Sequence, residues 1–272
     1  MKREQVKQLA DDALNTLAEA LEQGKSEALT DYLAMVAKFH QYSFRNIMLI
    51  ASQRPDACRV AGFNTWRKLG RFVKKGEKGI VIIAPMVFKK QDAESGSDEE
   101  GRRLWFRAAY VFDVSQTDGE PLPEPGTVSG DPAGYAERLK AFIAVQGIRL
   151  EYADTLGGAD GRSHGGRIEL LKGLTPAAEF STLAHELAHE MMHHGEKRDG
   201  STRTSRETEA EAVAFVVCRA IGLETSTAAQ DYIQFHDGNT ETLAAALDRI
   251  QHTAAAIIEA VTEEPQTDAQ AA

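Results

Sequence analysis

A chain of 272 residues, 42% of them hydrophobic, can bury one large core or two modest ones, which excludes wholesale disorder. Its apolar runs all fall short of the roughly 20 residues that span a bilayer, so no membrane partner is expected. Two cysteines, Cys58 and Cys218, cannot build a disulfide framework or a thiolate metal site, and a reducing, cytoplasmic setting is the simplest expectation. The net charge of −10 is unevenly spread: residues 59–90 hold nine Lys and Arg against one acid, Glu77, a local +8 that leaves −18 elsewhere.

At the amino terminus Val6, Leu9, Ala13, Leu17 and Leu21 recur at helical spacing, and a helical segment is expected up to about Arg54, with Pro55 as its stop. Residues 80–83 and 105–114 are rich in β-branched and aromatic side chains and predict strands. The acidic, Gly/Ser-containing residues 91–103 between them read as an exposed connection. Residues 115–132 carry Pro121, Pro123, Pro125, Gly126 and Gly130, the densest run of turn formers and the best place for a domain boundary. Beyond it the pattern predicts helices over 135–146, 206–221, 228–236 and 241–261, and short strands over 148–152 and 167–171. Thr175 followed by Pro176 is a helix start that leads to about His194. The polar tail from Glu263 is expected to fray.

That helix contains His185-Glu186-Leu187-Ala188-His189, the pattern H-E-x-x-H. Side chains four apart share a helical face, so both imidazoles can converge on one ion, with Glu186 beside them as general base for a metal-bound water. Catalytic zinc takes three protein ligands, so a third is required. Glu207, Glu209 and Glu211 follow on the next helix. Glu209 lies twenty positions after His189, an interval resembling that of thermolysin-like peptidases, and it begins an apolar row with Val213, Val216 and Ala220. Glu209 is therefore the expected ligand, with Glu211 as the alternative. A second H-E-x-x-H, from His189 to His193, is offset by one turn, but Val213 stands where its third ligand would fall. His193 or His194 is left as an electrophile or an outer partner of the site. Zinc is the expected divalent ion, with manganese and cobalt also compatible with two imidazoles and a carboxylate.

The cationic region interleaves aromatics and glycines, as single-strand binding requires: cations follow the phosphates and rings stack on unpaired bases. The residues expected to touch DNA are Arg45, Asn46, Arg59, Trp66, Arg67, Lys68, Arg71, Lys74, Lys75 and Lys78, with Trp105 and Phe106 able to extend the platform. The competing reading makes Phe63, Trp66, Leu69 and Phe72 one core-facing helical stripe with solvated cations.

Residues 42–50 (YSFRNIMLI), 60–71 (VAGFNTWRKLGR), 74–79 (KKGEKG) and 110–117 (YVFDVSQT), with 183–189 (LAHELAH) and 209–214 (EAEAVA), resemble the ArdC family of antirestriction proteins over most of the chain. The resemblance implies an α+β protein of two domains. The first, residues 1–118, is then a mixed α/β domain that binds single-stranded DNA. A linker at 119–132 leads to a mainly helical zincin-like metallopeptidase domain of the ImmA/IrrE type with a small sheet, at 133–262, and a disordered tail at 263–272. It implies metal roles for His185, His189 and Glu209 and the base role for Glu186. Glu211 stands where many related peptidases have asparagine. Protection of a mobile element's incoming DNA from restriction, with an unknown protein as substrate, is the implied function. Two alternatives are a DNA-coating protein whose metal is structural, and a peptidase that cleaves a regulatory protein.

Overall fold

The computed structural model describes residues 3–88, 103–121, 133–194, 202–223 and 240–263. The expected helix at 228–236, most of the connection at 91–103, the linker from 122 and the tail beyond 263 lie outside the described residues, as does the side chain of Trp105. The chain is α+β and forms two compact units, residues 1–16 with 45–123, and residues 17–44 with 124–272. The division differs from a boundary at residues 119–132 alone, because residues 17–44 group with the second unit.

In the first unit, the start of helix α1 (Arg3–Glu22) and helix α3 (Phe44–Gln53) cover an antiparallel sheet. The sheet has the order β1 (Val60–Gly62), β4 (Arg103–Asp113), β3 (Ile80–Phe88). Val6, Ala10, Leu49 and Val81 form its buried centre, with Leu9, Ile83 and Ala108 packed around them. Strand β3 is an edge, and an unpaired edge is a template for unwanted pairing. Two carboxamides from α3 close it. Asn46 donates to Ile83 O and accepts from Ile83 N, both at 2.9 Å. Gln53 does the same at Val81, at 2.9 and 3.0 Å.

Helix α4 (Phe63–Lys68) follows β1, and β2 (Arg71–Val73) pairs with β5 (Thr117–Gly119) in a separate ribbon. Asp113, fully buried, caps the one-turn 3₁₀ segment Val114–Gln116 and accepts from the amides of Cys58, Arg59 and Ser115. Burial pushes its carboxyl up, but a hydrogen bond from the Ser115 hydroxyl and those from the three amides outweigh that and hold it below the usual carboxylate value.

The second unit joins α2 (Ser26–Lys38), α5 (Ala133–Val145), α6 (Pro176–Met192), α7 (Arg203–Ala220) and α8 (Thr240–Thr262) to a three-stranded sheet. Its order is β6 (Arg149–Ala153), β8 (Arg167–Leu171), β7 (Gly161–Ser163), with β6 parallel and β7 antiparallel to β8. Thr175 caps α6 by accepting from Ala178 N at 3.3 Å, with Pro176 in the first turn, as its sequence predicts. Phe180, Leu183, Leu187, Val213 and Val216 are buried to completion, so α6 and α7 are the packed centre of this unit. Strand β7 has only three residues, too short to register as a hydrophobic alternation.

Replacing Asn46 by Ala strips β3 of two hydrogen bonds at its edge and is expected to destabilise the protein by about 1–3 kcal/mol. Urea denaturation read by circular dichroism measures this, and an unchanged midpoint would show that the edge needs no cover.

Candidate metal centre

Helix α6 presents His185 and His189 one turn apart and His193 follows at its C-terminal cap, with successive ring centroids 4.8 and then 5.8 Å from each other. The Nε2 atoms of His185 and His189 are 3.1 Å apart. Glu207 reaches them from α7, its Oε2 at 3.4 Å from His189 Nε2 and 3.7 Å from His185 Nε2. Two imidazoles and one carboxylate at this separation make a donor set that fits a divalent ion at roughly 2.0–2.2 Å bond lengths.

The third carboxylate departs from expectation. Glu209, the predicted ligand, is 2% exposed and turned away from the pair. It is bound to Arg249 of α8 and lies 3.4 Å from His193 Nε2. The reason is the helical period. Positions 207 and 211 differ by four and share a face of α7, whereas 209 lies about 200° around from 207. Glu211, the alternative ligand, meets the other nitrogen of His185, with its Oε2 at 3.3 Å from Nδ1. A carboxylate there holds the proton on Nδ1 and leaves the Nε2 lone pair for an ion. The sequence offers Glu207 among three acids, and its spacing of four from Glu211 groups those two on one face of the helix without choosing between that face and the one that carries Glu209.

Electrostatics follow from this packing. Burial pulls the His185 imidazole down, but Glu207 and Glu211 outweigh it and raise its pKa to about 9. His185 and then His189 lower Glu207 to about 2, against the effect of burial. Burial raises Glu186, opposed by His185. His193 is lowered to about 4 by burial and then by His189 and Arg249, and its Nε2 has no hydrogen-bond partner among the described residues.

Glu186 is 8% exposed and faces β7. The Ser163 amide donates to it. A Cβ on Gly161 would stand 2.6 Å from Thr182 Cγ2 and 2.8 Å from Glu186 Cγ, so only glycine lets this strand run so close to the helix. Glu190, the acid of the second H-E-x-x-H, holds the strand in place. It accepts from Ser163 Oγ at 2.6 Å and from the amides of Gly165 and Gly166 at 2.7 Å each. Gly165 has φ +79°, and a Cβ there would overlap the His194 ring. Burial pushes Glu190 up, but these donors hold it below the usual carboxylate range. The resulting cleft, about 680 Å³, is lined by His185, Glu186, His189, Glu207 and the β7–β8 turn. Neither the glycine contact nor the Glu190 clamp has a sequence signature, since both join residues about 25 positions apart.

The residues expected to contact DNA separate into two groups. Trp66 is 1% exposed and donates Nε1 to Phe112 O at 2.9 Å, so it is a core residue and not a stacking platform. Asn46 is committed to the β3 edge, which corrects its expected role as well. Arg71 donates to Thr117 Oγ1, Thr117 O and Glu120 O and anchors the β2–β5 ribbon. Arg45 pairs with Asp11 at 2.7 Å, Lys74 donates to Ser115 O at 3.1 Å, and Arg59 is half-buried. Arg67, Lys68, Lys75 and Lys78 are exposed. The core-stripe reading fails too: Phe63 and Phe72 are 49% and 60% exposed, and Phe72 lies on β2 rather than α4. Leu69, Phe106 and Tyr110 are also exposed.

Two family models match. Residues 5–112 match the N-terminal domain of anti-restriction factor ArdC, and residues 144–247 match the IrrE N-terminal-like domain of the M78 peptidases. An uncharacterized protein of Bacillus anthracis is 25% identical over 85% of this chain and 46% of its own length. Another from Sinorhizobium fredii is 30% identical over 33% of this chain and 30% of its own. The chain thus spans less than half the length of these curated relatives. The metal-free crystal structure of the antirestriction ArdC protein from plasmid R388 aligns with a TM-score of 0.55 at 20% identity, covering 93% of this chain and 97% of that one. The Mn(II)-bound structure of that protein aligns at 0.49 and 19% identity, over 85% and 97%.

Removing the Glu190 carboxylate by Glu190→Ala is expected to lower the unfolding free energy by about 2–3 kcal/mol, because three donors lose a charged acceptor. Chemical denaturation checks it, and a variant as stable as the parent would mean that the β7–β8 turn holds itself.

Proposed function

We propose, for a chain that belongs to the ArdC family of antirestriction proteins, that the first unit grips single-stranded DNA and the second hydrolyses protein at a divalent metal. The reading is carried by one observation, the convergence of His185, His189 and Glu207 with Glu186 buried beside them. Zinc is the ion proposed, with manganese or cobalt compatible with the same donors.

Held by those three side chains, such an ion supplies an acidified water and a Lewis acid for the scissile carbonyl. The chain's own groups do the rest. Glu211 fixes the His185 tautomer and Glu207 supplies the negative ligand. Glu186, its pKa raised by burial, is suited to take a proton and return it to the leaving amine. The Ser163 amide orients its carboxylate, and β7, an edge strand lining the cleft, offers backbone groups along which an extended peptide can lie. His193, lowered to about 4, stays neutral at physiological pH and adds no charge beside the ligands.

On the first unit, Phe63 and Phe72 replace Trp66 as the proposed stacking surfaces, with Arg67, Lys68, Lys75 and Lys78 following the phosphates. The biological role that suits both units is protection of a mobile element's incoming strand in the cytoplasm, by cleaving a protein met on that strand.

Metal content measured by plasma mass spectrometry tests the centre. Glu186→Gln and Glu209→Gln are expected to keep one equivalent of zinc, and Glu207→Gln to lose it. A full equivalent in Glu207→Gln would remove that ligand. Glu186→Gln is also expected to abolish protection of unmodified DNA in a transfer assay, whereas undiminished protection would favour simple coating of the strand. For the DNA face, Phe72→Ala is expected to weaken oligothymidylate binding by about 1–3 kcal/mol in fluorescence anisotropy. An unaltered affinity would place the strand elsewhere.

A further inference from the structure

The first unit has a cavity of its own that the chemistry above leaves unused. About 590 Å³ in volume, it lies between the start of α1 and strand β4 and is lined by Gln5, Gln8, Leu9, Asp12 and Tyr110. The four helical residues recur at spacings of three and four, so they form one stripe along α1, with Leu9 packed on the core of the unit and polar groups beside it. Positions 108, 110 and 112 share one face of β4. Ala108 packs against the same core, whereas Tyr110 is 49% exposed. Bare backbone makes room for its ring: a Cβ on Gly79 would stand 3.0 Å from Tyr110 Cβ and 3.1 Å from Phe112 Cζ. Phe112 in turn meets Phe63 edge-on, with centroids 6.4 Å apart, and the exposed Lys78 precedes Gly79. The cavity therefore adjoins the aromatic and cationic face proposed for the strand.

Its polar groups suit a base and not a phosphate. Gln8 Nε2 donates to Asp12 Oδ1 at 2.8 Å, so a carboxylate and a carboxamide stand side by side. A carboxylate accepts about four hydrogen bonds and a carboxamide nitrogen donates two, so acceptors remain on Asp12 and a donor on Gln8. An acceptor beside a donor complements the pairing edge of a base, such as N3–H beside O4 in thymine or N4–H beside N3 in cytosine. We propose that this cavity takes one unpaired base of the strand, its ring against Tyr110 and its pairing edge bound by Asp12 and Gln8. The proposal rests on the strand-binding reading of the first unit and adds how single strands are told from duplexes, where the complementary base already occupies that edge.

The test uses the full chain and two fluorescein-labelled probes read by anisotropy, a thymidylate oligomer and the same oligomer with every thymine methylated at N3. The methyl group removes the donor of the pairing edge and leaves the phosphates and the ring faces in place. The parent protein is expected to bind the methylated oligomer about tenfold more weakly, the worth of a hydrogen bond to a charged acceptor. Asp12→Ala is expected to bind the ordinary oligomer about tenfold more weakly and to make the two probes equal. Removing a negative charge should by itself tighten binding to a polyanion, so a loss in this variant reports the lost contact. Asp12 is exposed on a helix and alanine is the best helix former, so the fold persists, as circular dichroism checks. Tyr110→Leu is expected to weaken both probes by the same factor. Equal affinity of the parent for the two probes overturns the proposal while leaving strand binding intact. So does an Asp12→Ala variant that binds the ordinary oligomer more tightly, in which case the acid only repels the backbone. Failure of the parent to bind either probe removes the strand-binding reading, and the proposal with it.

Discussion

The candidate centre depends on the repeat of the α-helix, which fixes who can meet whom before any other interaction acts. On α6 and its C-terminal cap, spacing of four brings His185, His189 and His193 into one column. The next residue along, at 186 and 190, lies on an adjoining face towards β7. On α7 the same spacing makes Glu207 and Glu211 a pair and sends Glu209 to another side. Four acids in close sequence therefore have four different surroundings. Glu207 faces the two imidazoles, Glu211 meets the far nitrogen of His185, Glu209 is a buried tie to α8, and Glu186 lies against β7.

The second H-E-x-x-H illustrates how a motif can repeat without its chemistry repeating. His189 and His193 are spaced like the first pair, yet Glu190 between them is turned to the end of β7 and the turn after it, from which it accepts three hydrogen bonds. Its work is positional. By holding Ser163, Gly165 and Gly166, it fixes the strand whose amide touches Glu186 and whose backbone forms one wall of the cleft. One carboxylate thereby sets the surroundings of the other, one helical turn away.

In the first unit a single stretch of sequence contributes core, framework and surface together. Trp66 fills the interior, Asn46 and Arg71 tie backbone edges, and Phe63, Phe72, Arg67 and Lys68 remain outside. Neither extreme expectation for this region survives. A continuous core stripe fails because the chain leaves the helix after Lys68 and turns into a strand. A uniform binding face fails because side chains with hydrogen-bonding capacity are drawn into closing the sheet.

The sequence alone determined what depends on local spacing and composition. That includes the cap at Thr175 and Pro176, the paired imidazoles with Glu186 between them, the helices on either side, and the concentration of positive charge in residues 59–90. These follow from the geometry of a few neighbouring residues and are insensitive to the rest of the chain. Tertiary structure decided which of three carboxylates faces the imidazoles, which aromatic is buried, and that a three-residue strand passes over Glu186. Each of those outcomes is set by the rotation and docking of one element against another. Rotation of α7 by half a turn would exchange the environments of Glu207 and Glu209, and the packing of its apolar side chains against α2, α6 and α8, with the Glu209–Arg249 tie, opposes it.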